Sequence, residues 1–152
     1  MTTSSASPKK APGKAATRKR STTGKRATVK KTPAVKPAAV LIVGAGFAGL
    51  GMAIRLKQAG IKDIVILERA SAVGGTWRDN QYPGAACDIP SNLYSYSFAP
   101  NPNWSRSFSG SEEILGYIHH LVAEFELEPY IRFEKNVEDL SFDEKKGIWT
   151  AT

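Results

Sequence analysis

Three features of the sequence predict an α/β fold organised around a parallel sheet. An apolar run, "AVLIV" (Ala39–Val43), ends at a turn rich in glycine. From Phe47 onward Leu50, Ala53, Ile54 and Leu56 fall at spacings of three and four, the period of one helix face. A second apolar run, "DIVILE" (Asp63–Glu68), follows. Strand, helix and strand within 68 − 39 + 1 = 30 residues make one βαβ unit.

The elements are justified in chain order. Residues 1–37 carry eleven Lys/Arg and no Asp/Glu, so residues 38–152 hold 21 − 11 = 10 basic and all 14 acidic residues, a net of −4. The basic stretch has no Leu, Ile, Phe, Tyr or Trp to bury, so it cannot offset its ordering entropy and is expected to be a disordered tail. Its positive field would attract nucleic acid or another anionic surface without sequence preference; the plainer alternative is a solubilising extension. The ordered domain is expected over residues 38–152. The first run, bounded by glycine, has the continuous hydrophobicity of a strand buried on both faces. Gly60 suits the end of the helix that follows.

Gly44, Gly46 and Gly49 form G-x-G-x-x-G directly after the first strand and directly before the helix. The first glycine permits the tight turn, the second lets a pyrophosphate approach the backbone, and the third lets helix and strand pack closely. Glu68 stands 68 − 49 = 19 positions beyond the last glycine, where a carboxylate accepts hydrogen bonds from ribose hydroxyls and repels a 2′-phosphate. The unit therefore reads as Rossmann-like and dinucleotide-binding. These residues do not separate FAD from NAD.

Residues 71–110 mix turn formers with aromatics and show no sustained period. Long irregular segments in compact domains are usually functional. A helix is expected from Ser109, with Ser109 and Glu112 at capping-box spacing and a stripe of Ile114, Ile118, Leu121, Val122 and Phe125. His119 and His120 are neighbours on that helix and point apart, so they read as surface or packing residues rather than metal ligands. The end, "IRFEKNVEDLSFDEKKGIWTAT", reads as short strands with a hairpin at "DEKKG". The single Cys87 excludes an intrachain disulfide and reads as a small buried residue; the expected location is a reducing cytoplasm. No apolar run approaches the roughly 20 residues of a membrane-spanning helix.

The segment "GGTWRDNQYPGAACDIPSNLYSYSF" (Gly74–Phe98) resembles the second flavin-contacting segment of the class B flavoprotein monooxygenases, the group of the Baeyer–Villiger and flavin-containing monooxygenases. "PNPNWSRSFSGSEEILGYI" resembles that group too. The resemblance implies that Gly44, Gly46, Phe47 and Gly49 line an FAD pyrophosphate and that Glu68 holds the adenosine ribose. It implies that Gly75, Thr76 and Trp77 lie on the flavin side, that Asp88 of "CDIPS" stands near the ring in a catalytic role, and that Tyr94 follows along the same wall. In Baeyer–Villiger members this aspartate orients an arginine that stabilises the flavin peroxide. Arg78, Asp79 and Ala86 depart from the residues of many Baeyer–Villiger relatives.

The implied reaction uses NADPH to reduce FAD and then inserts oxygen into a ketone or soft heteroatom substrate through a C4a-peroxyflavin. The family's NADPH fingerprint and peroxide-stabilising arginine have no counterpart before Thr152, so the chain is expected to be the N-terminal, incomplete part of the FAD-binding domain of a longer enzyme, inactive alone. Two alternatives stay open. One is a non-enzymatic nucleotide-binding module tethered to nucleic acid by the tail. The other is an FAD oxidoreductase of another type, against which the "GGTWRDNQYPG" segment argues.

Overall fold

The computed structural model describes residues 36–152. The expectation of a disordered tail falls on residues 1–37, of which residues 1–35 lie outside the described residues. Strand β1 (Val40–Val43), helix α1 (Phe47–Gln58) and strand β2 (Ile64–Leu67) form the expected unit, with the strands parallel from Val40 beside Ile64 to Val43 beside Leu67. Gly60, at φ +85°, turns the chain out of α1, as its position predicts.

The short helix α2 (Thr76–Asp79) interrupts the irregular segment, and α3 (Ser111–Glu124) follows it. Strand β3 (Ile131–Arg132) then pairs in parallel with β2, giving a three-stranded sheet in the order β1-β2-β3. Strands β4 (Leu140–Asp143) and β5 (Ile148–Ala151) make the antiparallel hairpin expected around "DEKKG".

The core joins Ile42 and Ile66 of the sheet to Leu50 and Ile54 of α1 and to Ile114, Ile118 and Leu121 of α3. Ile54, Ile66 and Ile118 are fully hidden. Each contributes about 1.5–3 kcal/mol of transfer free energy. Lys57, in the last turn of α1, ties the two long helices together. Its Nζ donates to the carbonyls of Phe125 (2.6 Å) and Glu126 (3.2 Å) just past α3, and it lies 4.9 Å from the Tyr130 ring centre.

Two expectations are corrected. First, β1 is not buried on both faces: Ile42 is hidden, whereas Leu41 is 37 % and Val43 54 % exposed. Alternate residues of a strand point to opposite faces. One set meets the core; the other opens on a shallow apolar groove lined also by Val65, Leu67, Ile148 and Trp149. Second, Ser109 does not cap α3. Gly110 takes that position without a side-chain cap, and Ser109 is completely buried, its hydroxyl 2.7 Å from that of Ser91. The Ser91 hydroxyl also accepts the Ser109 N–H at 2.9 Å, so this pair pins two stretches of the irregular segment.

Candidate dinucleotide-binding site

The site grows out of the β1–α1 turn. Gly44 has φ +92°, a conformation that side chains rarely adopt, and its N–H donates to the Leu67 carbonyl at 2.7 Å. At Gly49 a Cβ would drive into the Gly44 carbonyl and lie 3.3 Å from Ile42 Cγ2, so the third glycine is demanded by helix–strand packing. Gly46 differs from both. Its φ of −88° and ψ of −169° suit any residue, and an added Cβ would meet nothing nearer than Gly75 Cα at 3.7 Å. Nothing among the described residues requires a glycine there.

Gly46 is also the N-cap of α1. No side chain caps this end, and the first turn holds no acidic residue. Its N–H groups and partial positive charge therefore remain available for an anion. The Gly74 N–H donates to the Ala45 carbonyl at 3.1 Å, which brings Gly75 against the turn. Gly44, Gly46, Gly75, Thr76 and Glu68 together line one groove of about 380 Å³.

Glu68, at the end of β2, is 4 % exposed. One carboxylate oxygen accepts the Ala45 N–H at 2.7 Å, and the other accepts the Ala70 N–H at 2.9 Å. Arg78 Nη1 stands 3.4 Å from that second oxygen. A carboxylate offers about four acceptor positions, so capacity remains for a ribose hydroxyl. The groove is also lined by Arg69, Arg78, Asp79, Lys135 and Asn136, which the motif did not point to. Arg78 bonds the Ala72 carbonyl and, at 2.9 Å, the Asp79 carboxylate. That hydrogen bond is the largest cause holding the Asp79 carboxyl below its ordinary range.

The remaining predicted residues lie off this groove. Trp77 lines an adjoining groove of about 680 Å³ with Tyr82, Arg106 and Glu113, and its Nε1 donates to the Tyr94 hydroxyl at 3.1 Å. Phe47 sits in an aromatic cluster, 4.9 Å from Tyr94 and 4.6 Å from Tyr96 between ring centres. Asp88 is exposed, next to the buried Cys87.

Gly51 is a packing position behind the turn that the motif missed. A Cβ there would lie 2.7–2.8 Å from the Tyr96 ring, whose hydroxyl donates to the Phe47 carbonyl. Burial raises the Tyr96 phenol above its usual range, which keeps it a neutral donor to the first turn of α1. The available signal was a fourth glycine in "GAGFAGLG". His119 and His120 are exposed as expected, and the described residues hold no cluster of three or more potential metal ligands. Among the described residues, no helix is long and apolar enough to cross a membrane.

With this geometry in place, the chain can be set beside known proteins. A family model described as an NAD(P)-binding Rossmann-like domain matches residues 42–110. A Baeyer–Villiger monooxygenase of Streptomyces coelicolor is 54 % identical over 110 residues, which cover 72 % of this chain and 21 % of the relative. A solved structure of an oxidised steroid monooxygenase bound to NADP matches with a TM-score of 0.71 and 42 % identity, over 75 % of this chain and 22 % of that one. A structure of OTEMO complexed with FAD and NADP matches with a TM-score of 0.69 and 31 % identity, over 77 % of this chain and 23 % of that one.

The fold and the groove thus define a Rossmann-like dinucleotide-binding unit. Within that class, the relatives it matches are named monooxygenases, Baeyer–Villiger enzymes among them, the group its sequence resembles. The chain spans about a fifth of the length of the relatives it matches.

Proposed function

We propose that the groove between the β1–α1 turn and α2 seats the adenosine diphosphate part of FAD, and that the chain is the cofactor-binding portion of an NADPH-using monooxygenase. One observation carries the reading: Gly46 is a glycine at the mouth of the groove for which the fold itself has no use. A diphosphate lying against the backbone of an uncapped helix end supplies the missing reason. The donors fit a dianion, because the turn offers N–H groups and the groove wall carries Arg69 and Lys135. FAD, rather than another dinucleotide, is favoured by the names of the relatives.

In this reading the residues divide the work. Gly44, Gly46 and Gly49 shape the turn, and the first N–H groups of α1 hold the diphosphate. Glu68 grips the ribose. Gly75 and Thr76 continue the groove into the start of α2, whose Trp77, with Tyr94, braces the flavin end. Asp88 orients a cationic side chain close to the reacting ring and is the proposed catalytic residue. FAD reduced by NADPH supplies the oxygen-activating chemistry; the protein positions it and shields it. The substrate class is a ketone or a soft heteroatom, as for Baeyer–Villiger enzymes.

Flavin fluorescence tests the binding reading directly. Titration of the 152-residue chain should quench FAD emission saturably, and Gly46→Val should abolish the quenching while leaving the circular dichroism unchanged. Equal quenching by both proteins would refute it. A chimera tests the enzymatic reading: residues 38–152 should replace the matching segment of the Streptomyces coelicolor relative with substrate-stimulated NADPH oxidation retained. A folded, flavin-free chimera would end that reading.

A second activity is proposed for the tail alone, because its eleven Lys/Arg stand without one acidic residue. It would bind nucleic acid loosely, with affinity falling steeply with salt and lost on removal of residues 1–37. The free, buried thiol of Cys87 fits the reducing cytoplasm proposed as the location.

A further inference from the structure

We infer that Arg78 is a positioning residue of the ribose site: it acts through Glu68, orienting and electrically balancing the carboxylate that grips the nucleotide. The inference rests on the dinucleotide reading above and deepens it. Four groups on the groove wall alternate in sign. Glu68 stands 3.4 Å from Arg78, Arg78 stands 2.9 Å from Asp79, and Asp79 stands 3.5 Å from Arg69. All four line the same groove.

The inner pair is the consequential one. The Arg78 side chain is only 16 % exposed and that of Glu68 only 5 %, so neither charge is well screened by water. The outer pair is far more exposed and contributes little on its own. A nearly buried carboxylate beside a diphosphate site would by itself repel the ligand. Arg78 supplies the opposite charge within ion-pair distance, so the wall meets the dianion without a net negative field.

Arg78 is itself fixed at three other points. It bonds the Ala72 carbonyl and the Asp79 carboxylate, and its Cβ lies against Gly74, where an added Cβ would come within 2.9 Å. A planar guanidinium held at several points presents its donors in one geometry, which lysine cannot reproduce. Glu68 is oriented in turn by the Ala45 and Ala70 N–H groups. The arginine thus completes a three-sided hold on the carboxylate.

The test is a double-mutant cycle on the 152-residue chain, with ADP as the probe and calorimetric titration as the readout. Arg78→Met keeps the stem and removes the charge; Glu68→Gln keeps the shape and removes the charge. Each single variant should weaken ADP binding about tenfold, the scale of a lost hydrogen bond to a charged group. The double variant should bind no more weakly than Glu68→Gln alone, because Arg78 then has nothing to position. Arg78→Lys should fall between wild type and Arg78→Met. If Arg78→Met does not fold, the same cycle run with Arg78→Lys should show the same non-additivity.

Losses that add, or an Arg78→Met that binds as wild type, overturn the inference; additivity would mean that Arg78 touches the ligand independently. Failure of the underlying reading is distinguishable. In that case wild type binds neither ADP nor FAD, or Gly46→Val binds both as well as wild type does.

Discussion

Two alanines placed three residues apart should have opposite effects. In Gly49→Ala the new Cβ would collide with the Gly44 carbonyl oxygen, lie 3.1 Å from its carbon and 3.3 Å from Ile42 Cγ2. Comfortable carbon contacts are about 3.5–4.0 Å, so α1 must withdraw from β1. Ile42 belongs to the packed core, and overpacking of this kind costs about 1–3 kcal/mol. In Gly46→Ala the nearest atom is 3.7 Å away and the backbone angles are ordinary. Stability should then change by no more than about 0.5 kcal/mol.

Binding should show the reverse emphasis. Gly46→Ala should weaken FAD by at least about tenfold, because its methyl group occupies the approach path of the diphosphate. Urea unfolding followed by circular dichroism gives the stabilities, and flavin fluorescence gives the affinities. A Gly46→Ala protein that binds FAD as tightly as wild type would refute the assignment of the second glycine to the ligand. A Gly49→Ala protein as stable as wild type would refute the packing argument.

Ile118→Ala, which empties a fully buried position on α3, should cost about 2–5 kcal/mol by urea unfolding. Lys57→Met should remove the link to the Phe125 and Glu126 carbonyls and cost about 1 kcal/mol, measured the same way. Asp79 has a lowered pKa in the fold, so its contribution to stability is present above the unfolded carboxylate value and is lost as pH falls through the folded one. A carbon-detected titration should place its midpoint below that of a free aspartate, and Arg78→Ala should move it back up.

Much of the fold was legible because it depends on periodicities. The run at Val40, the helical spacing from Leu50 and the run at Ile64 each bury a face that their pattern announces. The two-residue strand at Ile131 was less legible as a partner of β2, since so short a segment carries no period and its pairing is set by tertiary contact. The exposed face at Leu41 and Val43 shows the same limit: apolar residues announce a strand, and what covers it depends on residues far along the chain. Ser109 misled for a local reason. Its spacing to Glu112 fits a cap, but its hydroxyl found a better partner in the buried Ser91.

At the groove, Gly44, Gly49 and Glu68 were readable because a left-handed turn, a close helix–strand contact and a carboxylate at the strand end recur at fixed spacing after an apolar run. Arg78, Asp79 and Lys135 were not. They reach the groove through the turn at Gly74 and the loop after β3, which no local pattern encodes. Gly51 stayed hidden because its reason, the Tyr96 ring, lies 96 − 51 = 45 residues away.

Amide chemical shifts give the most direct check on where the dinucleotide lies. In a ¹⁵N-labelled 152-residue chain titrated with FAD, the largest changes should fall on the N–H groups of Gly46, Phe47 and Ala48, with a second set at Thr76 and the Glu68–Ala70 turn. Shifts confined to the Tyr82 and Arg106 groove, or no shifts at saturating flavin, would contradict the account.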